Sequence, residues 1–95
     1  MSAYIIADIS VHDLEQYKEY AGLAPGFVEK HQGKYIVRGG ETDVVEGNWR
    51  PQRLVVVEFP SKEHAHAFLQ DPDYQSIAAL RHAATTSNLL VVEGQ

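Results

Sequence analysis

The feature that most limits how this chain can fold is an internal echo at an offset of 50 residues. Tyr4-Ile5-Ile6-Ala7-Asp8-Ile9-Ser10 lies over Leu54-Val55-Val56-Val57-Glu58-Phe59-Pro60. Each stretch is an apolar strand, an acid, one more apolar residue and then the start of a helix. Tyr35-Ile36-Val37-Arg38-Gly39 and Leu90-Val91-Val92-Glu93-Gly94 correspond more loosely, both closing on a charged residue and a glycine. Two strand–helix–strand units in tandem give the order βαββαβ. Right-handed crossovers then place the helices on one face of a sheet whose first and third strands are central neighbours. A chain of 95 residues has room for one such domain, covering 1–95.

Local signals agree with that order. Ala3 to Ile9 is read as the first strand. Asp13 caps a helix, with Gln16 placed for a capping box, and Leu14, Tyr17, Ala21, Ala24 and Val28 form its apolar stripe. Pro25 removes a hydrogen bond and crowds the turn before it, so a kink or a break between two shorter helices is expected over Gly22 to Gly26. Gln32-Gly33 ends the helix, Lys34 to Arg38 is the second strand, and Gly39-Gly40 turns the chain. Val44 and Val45 are read as a brief continuation of the ladder, before the turn residues Glu46-Gly47-Asn48 and Pro51. Arg53 to Phe59 is the third strand. Ser61 caps a helix running to about Gln70, Asp71-Pro72-Asp73 restarts it with Tyr74, Ile77, Ala78 and Arg81 on one face, and Ser87 to Glu93 is the last strand.

Sorting the central strands by their period of two puts Ala3, Ile5, Ala7, Ile9, Val55, Val57 and Phe59 on the side assigned to the helices. Tyr4, Ile6, Asp8, Leu54, Val56 and Glu58 fall on the other side, which is too apolar to face water across a whole sheet. The expected fold is therefore α+β and ferredoxin-like: a four-stranded antiparallel sheet with helices on one face. Its open face is expected to meet a second copy, giving a homodimer of the dimeric α/β-barrel type. The absence of cysteine excludes disulfides, thiolate nucleophiles and iron–sulfur clusters. A formal charge of -5, with eight Lys and Arg residues scattered along the chain, opposes nucleic-acid binding. The N-terminus has no basic residue before Lys18 and only a five-residue apolar run, so no membrane segment or signal peptide is expected and the cytoplasm is the default location.

The ordered set RGG, EGNWRPQR, VVVEFPS, DPDYQ, the Arg81 helix and a closing VVEG strongly resembles a bacterial family known as domain of unknown function 1330. The likeness spans residues 3 to 94. It implies a ferredoxin-like subunit in the dimeric α/β-barrel superfamily, whose other members include cofactor-independent monooxygenases, muconolactone isomerases and haem-binding enzymes, typically with a pocket between sheet and helices. The chain departs from the family at His31-Gln32-Gly33, where paired glycines are common. A shared fold does not carry a reaction with it, so the resemblance assigns no catalytic residue.

Candidate site residues come from the chemistry of single positions. Arg38 stands first, because its planar fork suits a carboxylate and it adjoins Gly39-Gly40, where a ligand can approach the backbone. Arg53 and Arg81 have the same capacity; the plainer role for all three is a salt bridge to Glu58, Glu46 or another acid. Trp49 is placed to close a pocket or stack on a flat ligand, or else to pack over the sheet edge or a partner. Tyr17 and Tyr74 fit the inward helical stripes, as core residues or as ligand contacts. Glu58 is a potential buried base or, like its counterpart Asp8, a structural acid. His64 is a possible lone base or a solvated helix residue. The spacing of the five histidines does not make a metal site, and no cofactor is implied. Two functions of different class follow. An oxygenase, isomerase or lyase without cofactor, acting on a small flat or carboxylated metabolite, needs an enclosed pocket of some hundreds of Å³ with convergent Arg, Tyr or His. A non-catalytic dimeric binding module needs only filled space and mutually paired polar groups.

Overall fold

A computed structural model describes all 95 residues. The elements are β1 (Ala3–Val11), α1 (Leu14–Lys30), β2 (Lys34–Arg38), β3 (Arg53–Phe59), α2 (Lys62–Gln70), α3 (Pro72–Ala84) and β4 (Thr85–Glu93). The strands form one antiparallel sheet in the order β2-β3-β1-β4. This is the ferredoxin-like arrangement, with the second crossover split into two helices.

Alternation along β1 sets the layers. Ala3, Ile5, Ala7 and Ile9 are buried, while Tyr4, Ile6 and Asp8 between them are only half-buried. On β3, Val57 and Phe59 are buried on the same side. The core sits between that face and the helices, where Phe59, Val28, Ala65 and Ala78 pack around Phe68 and Tyr74, whose ring centroids are 4.1 Å apart. A smaller cluster joins Ala7, Ile9, Tyr17 and Ala84. β1 and β4 are each two residues longer than their hydrophobic pattern suggests, closing on the pair Val11↔Thr85. No helix is long and apolar enough to cross a membrane.

α1 runs unbroken through Pro25, so the break expected over Gly22 to Gly26 does not occur. Proline leaves the carbonyl four residues back, that of Ala21, without its helical donor. Arg38 Nη2 supplies one from β2 at 3.0 Å. At its C-terminus the helix closes as a Schellman motif, the Gly33 N–H donating to the Val28 carbonyl at 2.8 Å. Gln32, not Gly33, takes the left-handed conformation, with φ 65°. Gly33 is needed for a different reason: a Cβ there would fall 2.6 Å from Phe59 Cε1 and 2.8 Å from Val28 Cγ1. Val44 and Val45 do not continue the ladder. Gly39, at φ 72°, turns the chain off the sheet edge, and residues 40–52 form an irregular loop in which Val45 is exposed.

Three helix starts are capped as their residues predict: Asp13 Oδ1 accepts from the Gln16 N–H, Ser61 Oγ from His64 and Asp71 Oδ1 from Asp73. Asp71 does more than cap. Its other oxygen accepts from His31 Nε2 at 2.8 Å and Lys30 Nζ at 2.9 Å, tying the end of α1 to the α2–α3 junction. Those bonds, His31 first and Lys30 next, hold the Asp71 carboxyl far below the usual carboxylate range. A carboxylate with a lowered folded pKa contributes stability above its unfolded pKa of ~4, and that stability is lost as pH falls toward the folded value. Asp71→Asn should therefore lower the melting temperature at neutral pH and flatten its decline below about pH 4. Melting curves of both proteins across that range check it; parallel declines would show that Asp71 is not the titrating group.

Candidate functional site

The sheet and helices leave one sheltered gap. α1 lies against α3 and stands off the strands, and beneath it is a cavity of about 50 Å³. Most of its lining is apolar, with Ile5, Ala7, Val55 and Val57 as the floor. Four tyrosines and three arginines converge on it: Tyr17 and Tyr20 from α1, Tyr35 and Arg38 from β2, Arg53 from β3, Tyr74 and Arg81 from α3.

A slip in β2 brings Tyr35 and Arg38 to the same place. Tyr35 pairs with Val57 but Val37 pairs with Val56, leaving Ile36 as an extra, bulged residue. Strict alternation would put Tyr35 and Val37 on the helical side and Arg38 on the other. The bulge reverses the phase after Tyr35, so Arg38 pairs with Val55 and faces the helices with Tyr35. Its guanidinium lies 4.6 Å from the centroid of the Tyr35 ring.

The polar groups form a chain around the cavity. Arg53 Nε donates to Tyr17 Oη at 2.9 Å, and the Arg53 guanidinium also lies against Gly39, where a Cβ would collide with it. The hydroxyls of Tyr20 and Tyr74 are 2.7 Å apart. Arg81, 7% exposed, sets its guanidinium 5.7 Å from the Tyr20 ring centroid, and one of its terminal nitrogens reaches His82 Nε2 at 3.3 Å. Its Nε has no hydrogen-bond partner. The salt bridges expected for the arginines do not form. The only ion pairs of the chain join Asp71 to Lys30 and His31, so Arg38, Arg53 and Arg81 all lack a carboxylate. Burial, reinforced by Tyr74, pushes the Tyr20 phenol well above its ordinary pKa, and burial raises that of Tyr35. These phenols stay protonated at neutral pH, as hydrogen-bond donors rather than bases.

Of the eight candidates named from the sequence, Arg38, Arg53, Arg81, Tyr17 and Tyr74 lie on this cavity. Trp49 and Glu58 do not: both sit on the open face of the sheet, where Trp49 Nε1 donates to Asp8 Oδ2 at 2.8 Å and Tyr4 Oη donates to Glu58 Oε2 at 3.1 Å. His64 is also outside, its Nδ1 hydrogen-bonded with the Ser61 hydroxyl at 2.6 Å at the start of α2. Tyr20, on a helical face expected to meet the sheet, and Tyr35 are not among those candidates. Tyr20 follows Tyr17 by three residues and precedes Ala24 by four, which is a legible inward signal. Tyr35 faces in by simple alternation with β3, but nothing in the sequence marks the bulge at Ile36.

The sequence pattern of the family described as Domain of unknown function (DUF1330) matches residues 2–95. The chain belongs to this family. No curated protein matches it. Among solved structures, this DUF1330 chain is similar to a protein of unknown function from Rhodopseudomonas palustris, at 18% identity and a TM-score of 0.82 over 99% of this chain and 82% of that one. A dimeric ferredoxin-like protein of unknown function from Jannaschia sp. CCS1 superposes with a TM-score of 0.79 at 13% identity, covering 99% of this chain and all of the other. SnoaB, a cofactor-independent oxygenase from Streptomyces nogalater, gives 0.69 at 11% identity over 99% of this chain and 93% of its own. Identities this low establish a common fold and no more.

The buried phenol can be checked directly. Spectrophotometric titration of the native protein should leave Tyr20 protonated above the ordinary tyrosine value of ~10. Tyr20→Phe should then remove no absorbance change below that pH; a lost step there would place Tyr20 in contact with solvent.

Proposed function

We propose that this chain binds a small, flat molecule carrying a carboxylate or similar oxyanion in the cavity between α1 and the sheet. The supporting observation is three arginines on one apolar cavity with no carboxylate for any of them, one guanidinium being buried with an unpaired Nε. Removing such a charge from water without a counter-ion costs several kcal/mol, and an anionic ligand would offset that cost. The tyrosine rings supply flat apolar walls and their hydroxyls supply donors.

The size of the cavity limits the ligand. A volume of about 50 Å³ holds a few waters, at roughly 10–15 Å³ each, and falls short of the some 300–1,000 Å³ of a typical metabolite site. A single-ring ligand would enter only with movement of side chains, and Arg38 is the one exposed arginine of the three at the cavity. Binding without catalysis is the better-supported form of this proposal, because the hydroxyls of Tyr17, Tyr20 and Tyr74 already have hydrogen-bond partners and no carboxylate or histidine lines the cavity. Turnover as a cofactor-independent oxygenase, isomerase or lyase draws support only from the fold shared with SnoaB.

We also propose that the functional unit is a homodimer. Ile36, Trp49, Leu90 and Val92 are exposed large apolar residues, and Leu90 and Val92 pair with Ile6 and Tyr4 on the open face of the sheet. A second copy laid on this face would cover them through a self-complementary patch.

Arg81→Met tests the binding site. Replacing a buried unpaired charge by an apolar side chain of similar length should leave the free protein equally or more stable while abolishing its thermal stabilisation by benzoate. Benzamide, the neutral isostere, should stabilise the native protein less than benzoate does. A large loss of stability in Arg81→Met would instead mean that the guanidinium is paired within the fold. For assembly, sedimentation at micromolar concentration should show a dimer and Leu90→Asp a monomer; a native monomer would refute the proposed interface.

A further inference from the structure

Pro25 and Arg38 lie on different elements, yet each explains the other. Proline is the least favourable residue for a helix interior, and here it leaves one carbonyl of α1, that of Ala21, without an intrahelical donor. Ala21 lines the cavity, and the donor that meets its carbonyl is Arg38 Nη2 at 3.0 Å. That bond uses one of five guanidinium N–H groups. The guanidinium also rests on the Tyr35 ring, and no acidic side chain competes for it. Arg38 is itself exposed. Unanchored, a long exposed side chain would sample many rotamers, and ordering it on a ligand would reduce affinity.

We propose that the Ala21 carbonyl freed by Pro25 holds Arg38 over the mouth of the cavity, and that Arg38 so held selects anionic over neutral ligands. This rests on the binding site proposed above and adds a positioning residue, Pro25, which never touches the ligand. Arg81 meets the anion inside the cavity; Arg38 closes over it with the four N–H groups it has left. The bulge at Ile36 is part of the same device, since it turns Arg38 toward α1.

Pro25→Ala restores an N–H at position 25, which reclaims the Ala21 carbonyl for the helix. It should raise the melting temperature and at the same time weaken benzoate about threefold to tenfold, the worth of one orienting hydrogen bond, with benzamide unchanged. In an Arg38→Ala background, Pro25→Ala should have no further effect on benzoate. Nitrogen-15 relaxation of Arg38 Nε should show an ordered side chain in the native protein and a mobile one in Pro25→Ala, with or without ligand. Wild-type benzoate affinity in Pro25→Ala, equal weakening of benzoate and benzamide, or the same weakening without Arg38 would each overturn the selective role. Equal order of Arg38 Nε in both proteins would overturn the holding role. Failure of the wild-type protein to bind benzoate would remove the binding site and the selective role together, and the relaxation measurement would still decide whether Pro25 holds Arg38.

Discussion

Arg81 carries its charge into a layer where it meets no carboxylate, and a guanidinium so placed needs other electron-rich neighbours to stay there. α3 puts it inside because Tyr74, Ala78 and Arg81 share one helical face, so the packing that buries Tyr74 and Ala78 takes Arg81 with them. What it finds is the Tyr20 ring, and a cation over an aromatic face recovers part of the lost hydration. Tyr20 is then fixed twice, by that cation and by the Tyr74 hydroxyl. These contacts tie α1 to α3.

The sheet answers from below with two more arginines, each held by a local irregularity. Arg53 occupies the space that a side chain at position 39 would need, and Gly39 leaves it free. Arg38 faces α1 because one extra residue in β2 shifts the alternation, and it finds an acceptor because one proline in α1 removes a donor. Neither irregularity is favourable alone. A bulge leaves a residue unpaired and a helical proline loses a bond, but the first turns Arg38 toward α1 and the second leaves it an acceptor there.

That pairing marks the boundary of what the residues reveal when read along the chain. The duplicated strand pattern, the period of two on β1 and β3 and the caps at Asp13, Ser61 and Asp71 all act between neighbours in sequence or between symmetric positions. They make the strand order, the helical face and the split second crossover legible. Val44 and Val45 looked like strand because their β-branched side chains suit one, but Gly39 had already turned the backbone away. The break at Pro25 was expected on sound local grounds, and the compensating donor lies thirteen residues away on another element. Candidate residues followed the same division. Tyr17, Tyr74 and Arg81 were visible on helical stripes, whereas Glu58 and Trp49 drew notice for their chemistry and belong to the opposite face.

The two faces are nevertheless connected. Gly40 to Gln52 has no counterpart in the other half of the chain, and the segment is flanked by Arg38 and Arg53, both on the cavity. Between them the loop crosses to the open face and is pinned there by the Trp49 indole on Asp8, a residue of the central strand β1. Asp8 and Glu58 hold equivalent places in the two halves, so one acid anchors the loop while its twin accepts only from Tyr4. The segment that breaks the internal symmetry is thus the one that joins the open face of the sheet to the cavity on the other side.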